Sequence, residues 1–422
     1  MSDSRKRVMD AINHIQPDQV PLDFGAMGST GMHCSLIAAL REHYGLKKQL
    51  VKVFDTYQML GFVDDDLKEA LGIDTAMVMP LGTIFGNKLG EWKEWRTIWG
   101  QDVLIPKDME VEKCDDGSLV AYPQGDRSVP PCAKMPSNGY FFDAIERQEG
   151  DFDEDNPNPN ENTEEYTVMS DEQVAEIARR AKAARATGKA TMFTSPGTTF
   201  SSPSQLAGMP LKHPKGLRIL SEWYMALVAL PDFIKDVFAI QTERGIENLK
   251  KVQKACGDDI DIVMTCTCDF GTQISTIMSK DTLIDLFQPY YQKLNGWIHD
   301  NTNWKIFKHS CGAVEPFIEP MIEFGFDILN PVQCSAAGMD PEHLKKKYGD
   351  RICFWGGGVD TQSTLPFGTP EEVRKQVLER CRIFSPGGGF VFSSVHNVQA
   401  LTPPANVIAM LEAVKEFNTA GR

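Results

Sequence analysis

Residues 260–273 read IDIVMTCTCDFGTQ and residues 303–312 read NWKIFKHSCG: each is a short β-branched or aromatic run that ends on chemistry-bearing side chains. The form recurs at 327–334 (DILNPVQC), 352–360 (ICFWGGGVD) and 390–397 (FVFSSVHN). These runs predict strands over Asp261–Thr265, Lys305–Lys308, Asp327–Asn330, Ile352–Trp355 and Phe390–Ser394. Between them, amphipathic stretches at about 281–300, 315–324, 341–348, 370–384 and 404–417 carry Pro or Asp near their starts and predict helices. Strand then helix, repeated, is the signature of βα units feeding a parallel sheet.

The first half is less regular. Candidate strands are Val20–Phe24, Thr75–Met79, Trp99–Ile105 and Thr191–Thr194. Ser170 and Gln173 form a capping-box pattern ahead of an Ala/Arg-rich helix that runs to about Ala186. Residues 149–165 (EGDFDEDNPNPNENTEE) are acidic, Asn/Pro-rich and nearly devoid of apolar side chains, so they predict a surface excursion within one domain.

Composition narrows the class. At 422 residues the chain can bury a large core. A hydrophobic share of 42% with 24% charged residues is that of an ordinary globular protein. No apolar run approaches the roughly 20 residues that span a bilayer. The opening MSDSRKRVMDAINHI lacks the apolar block of a secretory signal, so the expectation is a cytoplasmic protein. A net charge of −15 argues against nucleic acid as partner, because phosphate contacts need clustered Lys and Arg. Ten cysteines are too sparse for a disulfide framework. Cys34, Cys114, Cys132, Cys256, Cys353 and Cys381 are expected as buried small hydrophobes.

In a parallel barrel the catalytic groups sit just past the C-terminal ends of the strands. The five runs above deliver there, in turn, Cys266, Cys268, Asp269 and Gln273; His309 and Cys311; Gln333 and Cys334; the 356–358 glycines and Asp360; and His396 and Asn397. His309 and Cys311, two apart at a strand end, project to the same side and could share one ion. Zinc favours imidazole nitrogen and thiolate sulfur, and a catalytic zinc keeps three protein ligands and one open place. Cys334, on the next strand end, and His396, after the last strand, compete for the third place. Asp269 and Asp360 are candidate acids or orienting groups, against the plainer alternative of capping a helix. Phe141, Phe142, Tyr290, Tyr291 and Trp355 are candidates to wall an apolar pocket, each also a candidate for the core. No G-x-G-x-x-G spacing, G-x-S-x-G elbow or H-E-x-x-H helix is present.

Taken together, RKRVMDAINHIQPDQVPLDFG at the N-terminus, CDFGTQ, KHSCG, DILNPVQ, FWGGGVDTQ with LPFGTPEEV, and GGGFVFSSVHNVQALTPPANV resemble the uroporphyrinogen decarboxylase-like superfamily. The resemblance covers the first 30 residues and nearly all of 260–417. It implies an α/β fold, a (β/α)8 TIM barrel over residues 1–422 as one domain, with an N-terminal helical extension and an inserted surface segment near 130–170. One branch consists of corrinoid-dependent methyltransferases with an HxC zinc motif, which His309 and Cys311 match. True decarboxylases of the group carry an Arg-rich N-terminal motif; the corresponding VPLDFGAMGSTGMH has no Arg. In members that serve coenzyme M the third zinc ligand is a Cys after the last strand, where this chain has His396.

What the resemblance implies is therefore an O-demethylase type of methyltransferase. It would take a methyl group from a small methylated donor, a phenyl methyl ether, to the cob(I)alamin of a separate corrinoid protein, leaving methylcobalamin on that partner. Zn2+ would be bound by His309, Cys311 and His396 with Cys334 nearby, and Asp269 is the proton-donor candidate. Gln273 and Asp360 would be catalytic groups, and Gln333, Asn397 and Trp355 substrate contacts. The chain lacks the DxHxxG signature of corrinoid-binding domains, so the cofactor would arrive on a partner. Alternatives are methanol, methylamine or methyl halide as donor, coenzyme M or tetrahydrofolate as acceptor, and, third, decarboxylation. No membrane partner is expected, and a homodimer is left open.

Overall fold

The strand-forming runs of the second half align in one parallel sheet. The computed structural model of the chain describes residues 3–420. The sheet has seven strands: β1 (Thr75–Met77), β2 (Ala190–Thr194), β3 (Ile262–Cys266), β4 (Lys305–His309), β5 (Ile328–Asn330), β6 (Cys353–Trp355) and β7 (Phe390–Val391). Each is hydrogen-bonded to its neighbour in chain order, and every pair is parallel. The sheet curls until its edges nearly meet. Residues 21–23 fill the gap: Phe392 N–H donates to the Pro21 carbonyl (2.8 Å), Asp23 N–H to the Phe392 carbonyl (2.9 Å) and Asp74 N–H to the Leu22 carbonyl (2.8 Å). The stretch expected as strand Val20–Phe24 thus reaches both edges, although its ladder pairing is a single bridge between Leu22 and Phe392.

Helices cover the outside. After α1 (Asp3–Ile12) come α2 (Asp171–Ala186), α3 (Pro231–Cys256), α4 (Lys280–Asn301), α5 (Glu315–Glu323), α6 (Pro341–Tyr348), α7 (Pro370–Phe384) and α8 (Pro404–Thr419). The capping box at Ser170 and Gln173 is formed, and Thr369 with Glu372 forms another. Both satisfy N–H groups that a helix start leaves without partners. No helix among the described residues is long and apolar enough to cross a membrane.

Strand alternation sorts the side chains. Ala190, Met192, Ile262, Met264, Phe307, Ile328, Cys353, Trp355 and Val391 make one buried cluster inside the curl, joined by Val8, Ala11 and Ile12 of α1. The helical extension expected at the N-terminus is therefore a plug. It is fastened where the strands begin: Arg5 donates twice to Asp261 Oδ1 (2.9 and 2.8 Å), and Arg185 donates to both oxygens of the same carboxylate (2.9 Å each).

The first half departs from expectation. The run at Trp99–Ile105 yields a strand at Asp102–Pro106, which pairs with Val51–Asp55 and Trp92–Arg96 in a separate five-stranded sheet. Val111–Lys113, Leu119–Ala121, Ala133–Met135 and Asp143–Ala144 build a further antiparallel sheet. Strands of two or three residues are too short to show a period of two. The surface excursion at 149–165 is mostly open at its start but turns inward: Asn162 is buried, exchanging hydrogen bonds with the carbonyl (2.7 Å) and N–H (2.8 Å) of Leu217, and Thr163 is fully buried. Polar residues can go inside when paired, which composition does not reveal. Of the six cysteines expected inside, five are buried and Cys114 is half-buried.

Candidate metal centre

His309 closes β4 on the same inward phase as Phe307 and is buried. Asn330 closes β5 in register with it. The Asn330 side-chain amide donates to the Trp355 carbonyl (2.8 Å), so its Oδ1 is the atom left facing His309 Nδ1 at 2.6 Å. That contact places the ring proton on Nδ1 and leaves the Nε2 lone pair free. Nε2 points to Cys311 Sγ, 3.5 Å away.

The Cys311 loop is held from two sides. Asp269, after β3, accepts the Cys311 N–H at 2.7 Å, and Gln333, after β5, accepts the Gly312 N–H at 2.9 Å. Gly312 sits at φ +90°, and a Cβ there would fall 2.3 Å from the backbone carbon of Gly271. The loops after β3 and β4 interlock at these two glycines.

His396, after β7, brings its ring centroid to 5.4 Å from that of His309. The candidate ligand atoms of His309, Cys311 and His396 all lie within 4.8 Å of one another, and this trio could hold a metal ion. Burial, opposed by Asp269 and Asn330, pushes the His309 imidazole below its usual pKa, and burial with the neighbouring His309 takes His396 down to about 4. Both rings are neutral near pH 7, the form that ligates. Burial and the adjacent Asp269 push the Cys311 thiol up against the pull of Lys308, and a metal ion at the trio would favour the thiolate.

The other site candidates separate into neighbours and bystanders. Asp269, 39% exposed, lies 3.7 Å from His309 Nε2. Gln333 Nε2 donates to Gln273 (2.9 Å) and Gln362 (3.3 Å), an amide chain on the rim. Asn397 is buried and donates to Gln58 (2.7 Å) and to the Gly28 carbonyl (3.3 Å). Cys334 is outside the trio: its Sγ donates to the Val332 carbonyl at 3.4 Å, and burial pushes its thiol up to about 12. Adjacent strands bring backbones together, but Cys334 stands past the end of β5, beyond a turn with Val332 at φ 59°. Asp360 closes its own turn, with Oδ1 accepting the N–H groups of Gln362 (2.7 Å) and Ser363 (3.1 Å), while the short helix that follows has Ser363 as its N-cap. Trp355 is a correction to its place as a substrate contact. Its indole is fully buried inside the curl and donates to Asp23 (2.9 Å), so only its carbonyl serves the site, through Asn330. Phe142 and Tyr291 are fully buried core.

Asn330, Gly271, Gly312, Lys308, Gln58 and Gln362 were not singled out from the sequence. A signal existed for Asn330, a polar residue ending a strand on the inward phase.

Comparison with known proteins agrees with this topology. The sequence profile of the family described as uroporphyrinogen decarboxylase (URO-D) matches residues 158–417, more than half of the chain. The chain belongs to the uroporphyrinogen decarboxylase family. Uroporphyrinogen decarboxylases of Pseudoalteromonas translucida and Psychromonas ingrahamii are each 29% identical to this URO-D family member over 89 residues, and that of Coxiella burnetii is 27% identical. Each match takes in 20% of this chain and 24% of the relative, so the chain spans about a quarter of the length of the curated relatives it matches. A solved methyltransferase from Methanosarcina mazei superposes over 98% of both chains with a TM-score of 0.54 at 16% identity, a likeness of fold.

Proposed function

We propose that this URO-D family member is a zinc-dependent methyltransferase that passes a methyl group from a small methylated substrate, a phenyl methyl ether, to the corrinoid of a separate protein. One observation carries the reading. Metal–ligand lengths of about 2.05 Å to nitrogen and 2.3 Å to sulfur at a tetrahedral angle put the two donor atoms about 3.5 Å apart. His309 Nε2 and Cys311 Sγ are 3.5 Å apart. With His396 the donor set is two imidazoles and one thiolate, which suits zinc and leaves one place open.

Bound there, zinc would act as a Lewis acid toward the leaving oxygen, because one thiolate against two imidazoles leaves a net positive charge. The chain's own residues do the rest. Asn330 fixes the ring of His309. Asp269, the partly exposed carboxyl beside the trio, is placed to relay a proton from solvent to the departing oxygen. The rim amides of Gln333 and Gln273 orient the substrate at the opening, and the buried Asn397 holds Gln58 behind them. We read the curled sheet as a (β/α)8 barrel with residues 21–23 as its eighth stave, and the chain as one such domain with the two smaller sheets as elaborations.

Decarboxylation is the activity in the names of the curated relatives. Against it here stands the 20–33 stretch, which carries no Arg to bind carboxylates and is almost wholly buried. The test is to supply reduced corrinoid protein and a panel of methylated compounds to the zinc-loaded enzyme and follow the cobalt absorbance. Conversion with phenyl methyl ethers is expected. Conversion with none, alongside carbon dioxide release from a carboxylated porphyrinogen, would overturn the proposal.

A further inference from the structure

Lys308 precedes His309 on β4, so strand alternation turns it away from the metal trio, toward the helices outside. It is fully buried there. Its Nζ donates to Cys266 Sγ (2.9 Å), to the carbonyl of Cys268 (2.6 Å) and to the carbonyl of His309 (2.9 Å), and it sits 4.0 Å from the centre of the Phe270 ring. Three N–H bonds are all that a lysine head has to give. Cys266 Sγ also meets the Tyr291 hydroxyl (2.6 Å) and the Cys268 N–H (3.4 Å).

Packing alone would be served by an apolar side chain, since a buried polar head is costly unless fully paired. What the lysine adds is a tie between two strand ends. β3 and β4 fall out of step between Met264 and Cys266, so their regular ladder does not carry on to the loops. Beyond that irregularity, Lys308 joins the Cys268 carbonyl, next to Asp269, to the His309 carbonyl, two residues before Cys311. The contact between Gly271 and Gly312 fixes how closely the loops approach, and the lysine fixes their offset along the strands.

We infer that Lys308 is a positioning residue that sets the spacing between the Asp269 loop and the His309–Cys311 loop, and through it the geometry of the metal trio. The inference rests on the metal-site reading above. Lys308→Met keeps length and burial but removes all three donors. Tyr291→Phe removes one polar contact from the same cluster and leaves both carbonyls tied. With zinc-loaded protein and excess chelator, Lys308→Met should release metal about 10- to 100-fold faster than wild type. The ligand-field bands of its cobalt-substituted form should shift, while Tyr291→Phe matches wild type in both. Wild-type release with an unchanged cobalt spectrum in Lys308→Met overturns the inference, as does equal acceleration in both variants. If Lys308→Met fails to fold, Lys308→Gln, which keeps an amide donor for one carbonyl, should be intermediate; a wild-type rate there overturns it equally. His309→Ala serves as the parallel control: if it holds zinc as wild type does, the metal-site reading itself has failed.

Discussion

Asn330 Oδ1 lies 2.6 Å from His309 Nδ1, and the Asn330 amide nitrogen is committed to the carbonyl of Trp355. Three adjacent strands thereby determine which nitrogen of one imidazole faces the opening. Asn330→Leu removes the acceptor and frees the ring, and zinc affinity measured by chelator competition should fall about 10- to 100-fold. Asn330→Asp keeps an acceptor for Nδ1 but sets its other oxygen against the Trp355 carbonyl, so its affinity should fall between those of wild type and Asn330→Leu.

The trio predicts an asymmetric ligand scan. His309→Ala, Cys311→Ala and His396→Ala should each lose bound zinc and methyl transfer, because two protein ligands are too few to retain the ion. Cys334→Ser, whose thiol faces its own loop, should keep full zinc by elemental analysis. Full occupancy in His396→Ala with loss in Cys334→Ser would sink both the ligand assignment and the charge argument for an ether substrate.

Gly312→Ala forces a side chain onto the Gly271 backbone at a φ of +90° that L-residues avoid. Urea unfolding should show a loss of about 3 kcal/mol. The Cys311 loop should also loosen, seen as weaker zinc retention in whatever protein folds.

Asp261 predicts an acid limb to stability. Burial alone would raise this carboxyl's pKa, but hydrogen bonds from Arg185, Arg5 and the Thr191 N–H together hold it below the usual carboxylate range. A depressed folded-state pKa stabilises above the unfolded value of about 4 and loses that contribution as pH falls through the folded value. Asp261→Asn should cost about 3 kcal/mol at pH 7, as when one partner of a buried ion pair is removed. The gap between variant and wild type in thermal or urea unfolding should shrink below about pH 4.

The second half was legible because each of its strands has an apolar centre, is bounded and is followed by an amphipathic helix, so strand ends and the residues just past them could be read directly. His309, Cys311, His396 and Asp269 were found that way. Side-chain direction was not legible beyond the strand ends. Cys334 and Asp360 both follow strand ends, yet loop geometry turns one thiol to its own backbone and uses one carboxylate to close its own turn. Trp355 was misplaced because an aromatic ending a strand looks alike whether it faces the mouth or the layer beneath. The antiparallel sheet of residues 111–144 was missed because its strands of two or three residues lie outside any βα repeat and are specified by their partners.

Helix α1, with Val8, Ala11 and Ile12 packed into the strand interior, closes one end of the curl. The consequence is kinetic. On the proposed function, small substrate and corrinoid-bearing partner would share the one remaining entrance, and the expected order is an encounter in which the small molecule enters first. Excess partner should then act as an inhibitor by occupying an empty doorway: initial rates should rise, peak and decline as its concentration grows, and the decline should be relieved by more small substrate.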